Sequence, residues 1–479
     1  MTAPAGPKRA GLSVCMIVRD EEGFLPASLR SVAGVADEIV VVDTGSTDRS
    51  IEIARSFGAS VYEHAWRDDF AWARNRSLEH AAHRWILVLD ADEELAAESV
   101  AALEQIKQSE PCGRGFWVRI RSRTGGGDDA YGALTNALVR IFPNDSAIRF
   151  RGAIHEYAVG PDGEKAIEAD LSPVELLHHG YTGTIIRERS KAQRNAALAR
   201  ACVEREPHDP FHWFNLGVSA YLLGEHAEAR AALDRSLELL GDRTSGFLPV
   251  ALVLLSEIAR NAGDFARAEA LARHSLERVP HDGGAHFQLG KALVEAQRYD
   301  EARAALLAAV EDAAHAHRQY VVDDDIARWK AFAEIGRSYA LAGDDAEALV
   351  WYDRALAAEP QAGIVLANRA RSRFRMRGDI GSALELAGAL QRTKQIGEAM
   401  KLLDGLLTAN PRETRLWMAR AALMEADGND GEQERSLRAA FEIDPQHTVL
   451  ALSGFYLARG RLAEAAAVAD DELSRGSRP

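Results

Sequence analysis

The sequence predicts an α/β domain built on a parallel sheet, followed by an all-α repeat array. Three observations carry this. Short β-branched runs alternate with helical patterns up to about residue 185. Beyond it the chain is Ala- and Leu-rich, with helical periodicity almost to the end. Within that second part, position-specific residues recur 34 residues apart, as in the prolines Pro411 and Pro445.

The first module opens with a strand at Leu12–Val18, then a helix over about Phe24–Val35 and a strand at Asp37–Val42. A turn, Asp43-Thr44-Gly45-Ser46, leads to Thr47 and Asp48. These suit a helix start, because a hydroxyl cap and an early acid satisfy orphan N–H groups. That helix runs to Phe57, with Gly58 as its stop. A short strand at Ser60–Glu63, a helix over about Phe70–Ala82 and a strand at Trp85–Leu89 follow. Nearly continuous apolar strands alternating with helices indicate a parallel sheet covered on both faces. Ligands in such sheets sit beyond the carboxyl ends of the strands. Two of those ends carry acid: Asp43, and Asp90-Ala91-Asp92. From Gly115 to Tyr181 the pattern is mixed, with strands expected at 116–121, 138–142 and 154–159, a loop at Gly125-Gly126-Gly127 and a turn at Pro161-Asp162-Gly163.

The second module repeats with the tetratricopeptide (TPR) pattern. Counted from Trp329, Phe332, Ile335, Gly336, Tyr339, Ala348, Tyr352, Ala355 and Pro360 fill every characteristic position. Units counted from Pro210, Pro249 and Gly283 match in part, through Gly217 and Leu233, Leu255 and Ala268, and Gly290 and Leu306. Small residues stand where paired helices cross, and Pro ends the second helix. These residues build a solenoid and are not a site. The expected division is an α/β domain at 10–185, a connecting helix at 186–209 and helical repeats at 210–475.

The 479 residues carry 57 Lys and Arg against 72 Asp and Glu, a net charge of −15. That excludes a sequence-independent grip on nucleic acid, but not a small basic pocket. No apolar run reaches the roughly 18 residues of a membrane span, and Leu12–Val18 is too short for a signal-peptide core. Cys15, Cys112 and Cys202 form neither a zinc pattern nor a disulfide framework, as expected of a cytoplasmic protein.

Asp90 and Asp92 are the main chemical clue. Two carboxylates at i and i+2, just past a buried strand, can project toward one ligand. A hard divalent cation such as Mn²⁺ or Mg²⁺ prefers oxygen ligands and keeps positions open for phosphates. Glu93 and Glu94 read as acids at a helix N-terminus. Gly125-Gly126-Gly127-Asp128-Asp129-Ala130 formally matches a dinucleotide fingerprint. That reading is rejected, because the match does not open the first βα unit and two aspartates repel a pyrophosphate. Nucleotidyl transfer is disfavoured too, since no Gly- and Lys-rich phosphate loop follows Val18.

The segments VCMIVRDEE, EIVVVDTGSTDRS, WRDDFAWARNRSLEHAAHRWILVLDADEEL, IHEYAV and LLHHGYTG, in that order, resemble the family 2 glycosyltransferases of the GT-A fold. This is the nucleotide-diphospho-sugar transferase fold, with a Rossmann-like mixed sheet. The resemblance covers about residues 10–185 and is nearest to a branch holding lipopolysaccharide-core glucosyltransferases and TPR-linked bacterial enzymes. It implies an inverting transfer from a nucleotide-diphospho-sugar, a UDP-sugar by default. By the same resemblance Asp43 contacts the base, Asp90 approaches the ribose or metal, and Asp92 is the direct metal ligand. Among Arg19, Asp20 and Glu21, one acid faces the nucleotide. Glu156 is the expected general base, with Asp128 and Asp129 as rivals and a salt-bridged role as its alternative. His155, His178 and His179 are candidates for a further metal ligand or phosphate contact, His179 first. Arg74 or Asn75 reaches the donor or orders the acidic loop, while Arg76 is solvated. Trp66, Phe70 and Trp72 are expected to pack their helix on the sheet, with sugar stacking open to Trp66. The array would hold a peptide, protein or glycan acceptor, or a partner protein. The alternative is a non-catalytic TPR adaptor with a degenerate nucleotide-sugar-binding domain.

Overall fold

The computed structural model describes residues 8–123, 131–160, 166–179, 185–243, 245–315 and 322–476. The Gly125–Gly127 loop, Asp128, Asp129, the Pro161–Gly163 turn, Gly180 and Tyr181 lie outside them. Residues up to Ala327 form one compact unit, and residues from Arg328 a second.

The first unit begins with β1 (Arg9–Val18), α1 (Leu25–Val32), β2 (Glu38–Asp43), α2 (Ser50–Ser56), β3 (Ser60–Glu63), α3 (Phe70–His80) and β4 (His83–Val88). Four of these strands pair in parallel, in the order β3-β2-β1-β4. Leu12, Val14, Met16, Val40, Val42, Ile86 and Leu87 are fully buried, so the strands read as unbroken apolar runs. One face is covered by Leu25, Leu29 and Val32 of α1. The other takes Ala71, Leu78 and Ala81, from α3 and its end.

The chain continues through β5 (Glu93–Leu95), α4 (Val100–Gln108), β6 (Gly115–Arg123), β7 (Tyr131–Pro143), β8 (Arg149–Arg151), β9 (Tyr157–Val159) and β10 (Ala169–His178). β7 pairs antiparallel with β4 and β6, and β10 runs parallel to β6 and antiparallel to β5. The sheet is therefore mixed.

Several local expectations are corrected. Glu93 and Glu94 lie in β5, not at a helix start, and Glu93 is buried. The expected strand at 154–159 shortens to β9, because the chain bends at 153–155, where His155 takes the left-handed φ of +51°. α2 starts at Ser50 instead of beside Thr47, because the side chains there are used across a loop. Asp20 Oδ1 accepts from Thr47 N (2.7 Å), and Asp48 Oδ2 accepts from Glu22 N (3.0 Å). Trp66, Phe70 and Trp72 are not buried against the sheet; alanines and Leu78 do that packing.

The rest of the first unit is helical: α5 (Ile185–Arg205), α6 (Pro210–Leu222), α7 (His226–Leu240), α8 (Leu248–Asn261), α9 (Phe265–Arg278), α10 (Gly283–Glu295) and α11 (Tyr299–His315). Ala199 and Val203 of α5 pack with Leu216 of α6 and Ala232 of α7. Phe211 meets Tyr157 edge-on at 5.8 Å and lies 5.6 Å from Phe247, joining the sheet domain to the first repeat helices. β11 (Val322–Asp323) pairs with β7. In the second unit, α12 (Ala331–Leu341) and α13 (Asp345–Ala358) open a further helical run that reaches Gly476.

The repeat glycines have a common cause. A Cβ on Gly217, Gly290 or Gly336 would stand 2.6, 2.5 and 2.8 Å from the facing Leu233, Leu306 and Tyr352. Each glycine therefore lets two helices cross at contact distance. Gly405 sits inside its helix with nothing within 4 Å of such a Cβ. Gly290→Ala is expected to lower the unfolding temperature, because overpacking at a site costs about 1–3 kcal/mol and outweighs the helix-propensity gain of about 1 kcal/mol. Gly405→Ala is expected to raise it, through a gain of about 0.4–1 kcal/mol. Calorimetry of the two variants checks the opposite signs.

Candidate active site

Parallel pairing aligns the acidic strand ends. Val18 of β1 is in register with Asp43, and Cys15 of β1 with Val88, two residues before Asp90. Beyond these ends lies a cleft of about 650 Å³. Its walls come from β1, α3, the β4 end, β7, the β8–β9 segment and α5.

A buried chain of charges forms its floor. Arg74 on α3 donates from Nη2 to Asp90 Oδ1 (2.7 Å) and from Nε to Glu156 Oε1. Arg140 on β7 donates from Nη2 to Asp90 Oδ2 (2.7 Å) and to Glu93 Oε1 (3.0 Å). Glu93 Oε2 accepts from the Asp90 backbone N–H (3.0 Å). Burial disfavours the Asp90 carboxylate, but the charges and hydrogen bonds of Arg140 and Arg74 outweigh it and hold its pKa well below the usual range. Burial pushes Glu93 up to about 7 against the charge of Arg140, and the charge of Asp90 adds to the rise. The sequence marks neither Arg140 nor Glu93 as a site residue. The only signal was an arginine in the apolar run ALVRIF, on a strand that pairs with β4.

The candidate residues separate by position. Arg19, Glu21, Arg74, Asp90, Asp92, His155 and Glu156 line the cleft, as do Trp66 and Phe70. Glu156 Oε2 carries no hydrogen bond among the described residues, so one oxygen is pinned and the other open. Asp20 is spent on Thr47 and does not line the cleft. Asn75 is corrected from donor contact to positioning: its amide exchanges two hydrogen bonds with the Phe150 backbone (2.9 and 2.8 Å) and so fixes β8 to α3. Arg76 pairs with Glu79. Asp43 is 2% exposed and does not line the cleft; Oδ1 accepts from Gly45 and Ser46 N–H (both 2.9 Å), while Oδ2 has no hydrogen-bond partner among the described residues.

The metal candidates do not gather as one set. Asp90 has both oxygens on guanidinium groups. Asp92 Oδ2 lies 3.5 Å from His178 Nε2, whereas His179 Nε2 lies 2.9 Å from Glu94 Oε1. His179 meets Asp92 through its backbone N–H (2.8 Å). Among the described residues, the cluster of three ligand atoms within 4.8 Å is Glu206, Asp209 and His212, which does not line the cleft. By oxygen chemistry and position, Asp92 is the group that could take a divalent cation at the cleft. His178 titrates above its ordinary range: burial opposes its charge, and Asp92 more than offsets this.

Comparison with known proteins finds two kinds of family model in this chain. Residues 13–128 match the glycosyl transferase family 2 model, and 187–243 and 259–322 match tetratricopeptide repeat models. The first repeat match opens inside α5. A TPR repeat-containing protein of Synechococcus elongatus is 36% identical over 234 residues, 47% of this chain and 56% of that one. The SPbeta prophage-derived glycosyltransferase SunS of Bacillus subtilis is 26% identical over 230 residues, 46% of this chain and 52% of its own. An uncharacterized glycosyltransferase of Rickettsia typhi is 33% identical over 95 residues, 20% of this chain and 32% of its own. The chain thus spans about half the length of the first two relatives. No helix among the described residues is long and apolar enough to cross a membrane.

Arg140→Met is expected to destabilise the first unit by about 3 kcal/mol, because it leaves the buried Glu93 without its arginine and the half-buried Asp90 with one guanidinium instead of two. Adding Glu93→Gln should recover part of this. Urea unfolding followed by tryptophan fluorescence reads both; an Arg140→Met loss within about 0.5 kcal/mol, the range of an ordinary surface change, would contradict the network.

Proposed function

We propose that this chain, which carries a glycosyl transferase family 2 domain ahead of tetratricopeptide repeats, is an inverting glycosyltransferase that moves a hexose from a nucleotide-diphospho-sugar to an acceptor hydroxyl. The observation that carries the reading is the convergence of Asp90, Asp92, Arg74 and Glu156 on one cleft at the carboxyl ends of the parallel strands. By the family resemblance Asp43 would contact the base, although it is buried beside Thr44, which lines the cleft. Asp92 would hold a divalent cation, Mn²⁺ or Mg²⁺, with Asp90 oriented by its two arginines toward the ribose or the ion. When bound, the cation neutralises charge that develops on the departing diphosphate. A UDP-sugar would be the default donor, and the sequence resemblance points to activities like lipopolysaccharide-core glucosyltransfer.

In the transfer, the acceptor oxygen forms a bond to the anomeric carbon as the bond from that carbon to the diphosphate oxygen breaks. The electron pair leaves with the diphosphate, and the acceptor proton passes to Glu156 Oε2. Arg74 holds the other Glu156 oxygen, so the base keeps one orientation; fixed orientation and electrostatics do most of the remaining work. The repeats would hold a peptide, protein or glycan acceptor, or a partner protein, in their groove. Free cysteines at positions 15, 112 and 202 suit the reducing cytoplasm.

Thermal unfolding of the full chain with UDP, GDP, CDP or TDP, with and without Mn²⁺, tests this reading. One nucleotide with Mn²⁺ is expected to stabilise the wild type, by about 2.7 kcal/mol at 100 times its dissociation constant. Asp92→Asn should lose the metal-dependent part. Absence of a shift with all four nucleotides would overturn the enzyme reading in favour of the adaptor.

A further inference from the structure

α5 supplies two residues, Arg194 and Asn195, to the wall of the cleft. Arg194 is exposed, with its guanidinium carbon 5.1 Å from the Phe70 ring centroid. Its hydrogen bonds run to its neighbour Asn195 Oδ1, at 3.2 and 3.4 Å. Among the described residues no carboxylate lies within ion-pair distance of it. Arg19 and Glu21, just past the end of β1, line the same cleft as Arg194, at the strand end where the nucleotide is expected.

Charge balance says what such an arginine would hold. On the acidic side of the cleft, the carboxylates of Asp90, Asp92 and Glu156 stand against the guanidinium groups of Arg74 and Arg140 and the imidazole of His178, with Glu93, its pKa raised to about 7, behind them. Both guanidinium groups are neutralised by these carboxylates, although Arg74 Nη1 and Arg140 Nε keep no hydrogen-bond partner among the described residues, so the acidic side has no net positive charge to spare for a diphosphate. A diphosphate therefore needs cations from elsewhere. Arg194 is a cation on the cleft wall not committed to a carboxylate, and its planar fork suits phosphate oxygens in pairs.

We propose that Arg194, borne on the first helix of the repeat region, binds the diphosphate of the donor nucleotide, with Asn195 orienting its guanidinium. The donor site is then composite, built by the sheet domain and α5 together, so α5 is needed for donor binding. This rests on the nucleotide-sugar reading above.

The test is isothermal titration of the full-length wild type, Arg194→Gln and Arg194→Lys, with Mn²⁺, using UDP, UMP and uridine. If GDP, CDP or TDP is the nucleotide that stabilises the wild type, its own series replaces these. Arg194→Gln is expected to weaken diphosphate binding about 10- to 100-fold, the loss of a charge-assisted bond pair. It should leave nucleoside binding unchanged, and Arg194→Lys should recover part of the loss. Equal diphosphate affinity in wild type and Arg194→Gln would overturn the proposal and leave the function standing. So would an equal loss for diphosphate and nucleoside, since that reports a distorted cleft instead of a phosphate contact. A wild type that binds none of the nucleotides would overturn both.

Discussion

Arg74 is the residue on which the site depends. It rises from α3 under the sheet's carboxyl edge and ties Asp90, at the end of β4, to Glu156, at the bend before β9. Those carboxylates are 66 residues apart in the sequence. Without the guanidinium between them, two like charges would meet at the cleft floor with Arg140 alone on Asp90, and Glu156 would take up a proton more readily. Arg140 extends the arrangement on the other side, sharing one nitrogen between Asp90 and Glu93. A buried ion pair adds little net stability over an apolar pair, but removing one member is costly. The benefit here is orientation: Asp90 cannot rotate, and Glu156 presents one fixed oxygen.

The rest of the fold serves that floor. Asn75, next to Arg74, clamps the Phe150 backbone, and Phe70 N–H bonds to Ala153 O (3.0 Å), so α3 carries the segment that bears Glu156. Tyr157 then packs edge-on against Phe211 at the start of α6. One stretch of chain thus connects the reacting end of the cleft with the first repeat helices. The helix that looks like a linker in the sequence, α5, is part of the cleft wall and packs with α6 and α7.

What was legible in the sequence follows from locality. β1, β2 and β4 are buried on both faces, so each is a continuous apolar run, and the acids that end β2 and β4 stand out as breaks in it. The TPR helices repeat because the same crossing recurs, with glycine facing a large side chain. Contacts between distant segments were not legible. Glu93 reads as a helix cap until β10 is known to return beside it, some 80 residues later. Arg140 reads as a stray charge in an apolar strand until β7 is laid against β4. Asn75 looks like a ligand contact because an amide on a helix gives no hint that a hairpin backbone will consume both its atoms.

A double-mutant cycle measures the central claim, that Asp90 and Glu156 act as one unit through Arg74. Asp90→Asn, Glu156→Gln and the double variant would each be followed in urea unfolding and in nucleotide affinity. Groups that share a network couple by about 0.5–3 kcal/mol, whereas independent sites add within about 0.3–0.5 kcal/mol. The account predicts coupling of at least about 1 kcal/mol in stability, because the first substitution already frees one side of the guanidinium. Additive losses would contradict it, and would mean that the two carboxylates are held separately.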